Sequence, residues 1–91
     1  MANPRYLSIP AAVVKDPEAI EVLRVWATKG DQHFVIQTSV WDDPAAWGIL
    51  FVDLAKHVAR AYQDSTGQEF GAILARVKEG SDAEWEFDTD S

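Results

Sequence analysis

The sequence predicts a small single α+β domain of order β-α-β-α-α, with a short sheet packed on helices and extended across a dimer. Three observations carry this. Ninety-one residues suffice for one domain. Residues 32–41 alternate in the manner of a strand buried on one face. Residues 43–64 are apolar at helical spacing and open on an Asp-Pro start signal.

The first element is read at RYLSI, residues 5–9, as a short strand of alternating β-formers ended by Pro10. After a connector over 11–14, DPEAIEVLRVWATKG (16–30) reads as a helix. Asp16 caps it, Pro17 takes the first helical position, and Glu18 complements the positive end of the dipole. Ala19, Ile20, Leu23, Trp26 and Ala27 give it one apolar face, and Gly30 stops it.

QHFVIQTSVW, residues 32–41, is the clearest strand. Phe34, Ile36, Thr38 and Val40 point one way, and His33, Val35, Gln37 and Ser39 the other. The next helix repeats the capping rule of the first, with Asp43 and then Pro44, and runs to about Asp64. Trp47, Leu50, Phe51, Leu54, Val58, Ala61 and Tyr62 form a broad apolar arc. Gly48, Val52, Ala55 and Ala59 widen it as a stripe of small residues that lets another backbone approach. An arc this wide belongs to a helix contacted on more than one side.

DSTGQEF is a turn, with Gly67 as a left-handed residue or Thr66 and Glu69 as a capping box. The last helix carries Phe70, Ile73, Leu74 and Val77 on one stripe and is expected to reach about Glu79. Beyond it, helix through Ser81 and an alternating strand are both open, and Trp85 is expected to pack back on the body. The domain thus spans 1–80, with an acidic tail at 81–91. A two-stranded sheet is marginal alone, and its long strand exposes an edge. A two-fold dimer joining two such edges would cure both faults, so a homodimer is expected.

Charge narrows the function. Of a net charge of -7, residues 79–91 hold six acidic side chains and no basic one. The remainder is nearly neutral, with no basic patch, so nucleic acid is not an expected partner. Residues 45–62 are long enough to span a membrane, but Asp53, Lys56, His57 and Arg60 interrupt them, so no membrane partner is expected either. The cysteine count is zero, which removes a disulfide frame, a thiol nucleophile and a thiolate metal site. The N-terminal run lacks the apolar core of an export signal, and the expected compartment is the cytoplasm.

Taken together, the V-L-R-V-W-A run at Val22–Ala27, the D-P/W-G-I-L pattern at Asp43–Leu50, Asp53 and the His57-x-Ala59 step resemble the bacterial domain-of-unknown-function family numbered 5076. The likeness runs from about Leu7 to Trp85. It implies a small α+β bacterial protein with no assigned activity, substrate or cofactor.

The residues themselves offer one weak catalytic candidate. Asp53 and His57 lie four apart on one helix face, where a carboxylate could orient an imidazole as a general base. No G-x-S-x-G nucleophile accompanies them, so a surface pair or the margin of a dimer seam is the preferred reading. His33, His57, Asp53 and Asp31 lack the spacing of a metal site, and the five glycines are scattered rather than gathered in a phosphate loop, so neither a metal nor a cofactor is expected. The expected function is that of a small, non-catalytic, cytoplasmic homodimeric interaction or accessory protein. Its contact candidates are Trp85, Phe87, Glu84 and Glu86 in the acidic tail and His33 and Gln37 on the second strand. The alternative is a small-molecule-binding protein or minor enzyme with a His57/Asp53 pocket near a dimer interface.

Overall fold

The computed structural model describes residues 5–87, and the chain divides into two compact units at the Asp42–Asp43 boundary. Each unit is built from its own short-range pairings.

The first unit contains a one-turn helix, α1 (Ala11–Val14), and a β-hairpin of β1 (Leu23–Thr28) and β2 (Asp31–Ile36). RYLSI forms no strand. Its ladder partner is missing, because β1 and β2 pair with each other and are the only strands among the described residues. Pro10 instead opens α1, its carbonyl accepting from the backbone N–H of Val13 and Val14 at 3.0 and 3.1 Å.

The helix expected over 16–30 is also corrected. The Asp16-Pro17 signal is real but caps a single turn: Asp16 Oδ1 accepts from the Glu18 N–H at 2.9 Å. The chain then extends into β1, where Leu23, Val25 and Ala27 alternate with Arg24, Trp26 and Thr28. Valine, tryptophan and threonine favour a pleated backbone, and here tertiary pairing overrides a three-four periodicity only two turns long. Gly30 stops no helix; at φ 83° it supplies the left-handed residue of the two-residue Lys29–Gly30 turn.

The pairing is antiparallel, from Leu23 opposite Ile36 to Thr28 opposite Asp31. β2 keeps the expected alternation but ends at Ile36, five residues early. Gln37 makes one last backbone bond to Val22 O at 2.9 Å, and its side-chain Oε1 then accepts from the Ser39 hydroxyl at 2.8 Å, turning the chain. One hairpin face carries Leu23, Val25, Ala27, Phe34 and Ile36; the other carries Arg24, Trp26, His33 and Val35.

The second unit is a helical hairpin of α2 (Ala45–Thr66) and α3 (Phe70–Glu86). Asp43 acts as expected, its Oδ1 accepting from the Ala45 N–H at 3.0 Å. Gly67 ends α2 at φ 77°, its N–H bonding Gln63 O at 2.9 Å. No capping box based on Thr66 forms. The Thr66 hydroxyl turns back to Tyr62 O at 2.7 Å, and Glu69 itself caps α3, accepting from Gly71 N and Ala72 N at 2.8 and 2.9 Å.

α3 continues seven residues past Glu79. Lys78 and Asp82, at 2.7 Å, form an i,i+4 ion pair that bridges Gly80. Trp85 does not pack back. It is 85% exposed, on a helix end with nothing against it to bury so large a side chain. The hairpin seam holds Ala59, wholly buried, and Ile73, 8% exposed; these are the buried apolar residues among those described.

Candidate functional site

His57 sits mid-way along α2, on an exposed stretch. Its Nδ1 lies 2.8 Å from the backbone carbonyl of Asp53, one helical turn earlier. A carbonyl accepts only, so Nδ1 carries the proton and donates. The imidazole is therefore held by the helix backbone, and the Asp53 carboxylate is not what orients it. The four-residue spacing brings the two residues together as read, but through the main chain.

A shallow groove runs along the α2–α3 hairpin, lined by Val58, Tyr62, Ala72, Ile73, Arg76 and Val77. Neither His57 nor Asp53 lines it. Among the described residues no group of three or more His, Cys, Asp or Glu side chains converges to hold a metal ion. No described helix is long and apolar enough to cross a membrane.

The contact candidates fall in separate places. Glu84, Trp85 and Glu86 form the exposed last turn of α3, and Phe87 is its exposed C-cap. His33 lies directly opposite Trp26 on the hairpin, beside Arg24, whose guanidinium stands 5.9 Å from the Trp26 ring. Glu21, bonded to Arg24, holds that guanidinium above its ordinary range. Gln37 lies past the end of β2 and spends its side chain on the turn.

The larger feature is apolar. Val25, Phe34 and Ile36 are exposed on one face of the hairpin, and Ile49, Phe51, Val52, Leu54 and Tyr62 are exposed on α2. The wide apolar arc of α2 contains one ordered subset. Trp47, Phe51, Leu54, Val58 and Ala61 follow at steps of four, three, four and three, the spacing of a helix–helix seam.

A family model described as "Domain of unknown function (DUF5076)" matches residues 6–89. The chain belongs to that family. No curated protein matches it. A solved structure described as "Structure of a putative pyruvate dehydrogenase from the photosynthetic bacterium Rhodopseudomonas palustrus CGA009" is 33% identical, with a TM-score of 0.77 over 100% of this chain and 92% of the other. The family's description assigns it no function.

Proposed function

We propose that this DUF5076 member is a small, non-catalytic, cytoplasmic homodimer that serves as an interaction or accessory protein. One observation carries the reading. Both units leave large apolar side chains exposed, and the buried apolar residues described amount to Ala59 and Ile73. Further burial of these side chains in an assembly would add to the stability of the folded chain. The single domain over 1–80 is part of the same proposal. The end of α3 is then free to meet a partner through Trp85 and Phe87, set among Asp82, Glu84 and Glu86.

A dehydrogenase activity on pyruvate would need a cofactor to take up the hydride or the acyl carbanion. This sequence has five single glycines and no phosphate-cradling loop, so that activity is not carried over. Sedimentation equilibrium of the full chain at micromolar concentration tests the proposal. Twice the 10.1 kDa chain mass supports it, and a folded species of one chain mass contradicts it.

A further inference from the structure

RYLSI, residues 5–9, is a motif that the proposed function does not use. It alternates like a strand, with Arg5, Leu7 and Ile9 on one side and Tyr6 and Ser8 on the other, yet it makes no ladder in the structure. It does not lie apart from the sheet. Arg5, Tyr6, Leu7 and Ile9 share a groove with Leu23, Arg24, Val25 and Trp26 of β1. The Arg24 guanidinium, raised chiefly by its bond to Glu21, is raised also by Tyr6, a near neighbour.

β1 has backbone groups to offer there. The Gln37 N–H bonds Val22 O, and the ladder closes at the Thr28–Asp31 pair beside the two-residue turn. Hydrogen-bonded pairs alternate along an antiparallel ladder. Arg24, Trp26 and Thr28 therefore bond β2, while Leu23, Val25 and Ala27 turn their N–H and C=O groups to the outer edge. Among the described residues no backbone hydrogen bond reaches those outer groups. The first unit also lacks a core of its own, since Ala59 and Ile73, the buried apolar residues described, both belong to the second. A lone two-stranded hairpin is marginal in water, and a third strand is one remedy.

We infer that residues 5–9 form a strap that closes on β1 as a third, edge strand, pairing at Leu23 and Val25. The inference stands whether or not the chain dimerises. The alternation of the strap matches the hairpin. With Tyr6 on the side of Arg24 and Trp26, Leu7 and Ile9 extend the apolar face of Leu23, Val25, Phe34 and Ile36. Leu7 and Ile9 are 88% and 65% exposed before closure, so closing has apolar surface to bury. Pro10 follows directly; with no N–H to donate, it ends the pairing. Residues 10–22, which include α1, make a connection long enough for either strand direction. Closure takes the β1 edge out of reach of other chains and leaves that of β2 free.

Amide hydrogen exchange of the full chain, read residue by residue by NMR, tests the strap. Trp26 and Thr28 are protected by β2 in any case. Ala27 faces the outer edge but lies outside the groove, and serves as the reference. Leu23 and Val25 are expected to exchange at least about tenfold more slowly than Ala27. Equal rates at all three overturn the strap. Leu7→Pro combined with Ser8→Pro removes a donor facing β1 whichever way the strap alternates. This pair is expected to bring Leu23 and Val25 to the Ala27 rate and to leave Trp26 and Thr28 protected. Protection that persists at Leu23 and Val25 comes from another source and overturns the strap. Should the proline pair loosen the hairpin as well, nuclear Overhauser contacts in the wild-type chain decide. Backbone contacts between residues 6–9 and 23–25 support the strap, and their absence overturns it.

Discussion

The caps decide most at the scale of single residues. Asp43 and Gly67 do what their identities announce, one closing the N-terminus of α2 and the other its C-terminus. Asp16 carries the same signal and is followed by no helix, because a cap satisfies only the first turn and cannot hold a β-rich run in helical form. Glu69 takes two N–H groups of α3, so Glu69→Ala should cost about 1 kcal/mol in urea unfolding and Glu69→Gln less, as for other N-cap losses. An unchanged midpoint would show that the cap contributes nothing. Trp85 is as informative. A buried tryptophan lost to alanine costs about 3–5 kcal/mol, whereas exposed Trp85→Ala should shift stability by less than about 0.5. A large loss would place Trp85 in the core after all. The His57–Asp53 pair was legible as a spacing, but which atom of Asp53 the imidazole meets was not. Side-chain and main-chain acceptors lie equally within reach one turn away.

At the scale of elements, long periodic segments were readable and short ones were not. α2 and the alternation in β2 follow from many residues that agree. The segment 16–30 offered two turns of helical spacing against an equally good run of β-formers, and hairpin pairing with β2 settled it. The Lys29–Gly30 pair between two β-rich runs was the overlooked signal. α3 outlasted expectation because Lys78 and Asp82 span Gly80. The bond to Asp82, with its charge, raises the Lys78 ammonium above the ordinary lysine range. A raised cation stabilises below its unfolded-state pKa and loses that stabilisation as pH rises through the folded value. Helicity of the last turns of α3 should therefore fall only in strongly alkaline solution, and Lys78→Gln should remove that step. The last turn also sets Glu84 and Glu86 against the negative end of the helix dipole. Replacing both with glutamine should increase helicity at low salt, and 1 M salt should erase the gain by screening. No gain at low salt would mean that the dipole is already screened.

For the whole molecule, the hydrophobic supply exceeds what the described units bury. Four tryptophans and four phenylalanines in 91 residues signalled either an ample core or surface for a partner. Val25, Phe34 and Ile36 on the hairpin and Phe51 and Leu54 on α2 are exposed, and that exposure is what supports the proposed partner. The short β1–β2 ladder leaves less free edge for the expected dimer than a ten-residue strand would. The sequence could not rank these surfaces, since burial is a property of what packs where and not of the apolar pattern alone. The most direct measurement is the mass of the wild-type chain by sedimentation equilibrium at micromolar concentration. Twice the 10.1 kDa chain mass is the predicted result. A wild-type chain that sediments as a folded monomer would contradict it.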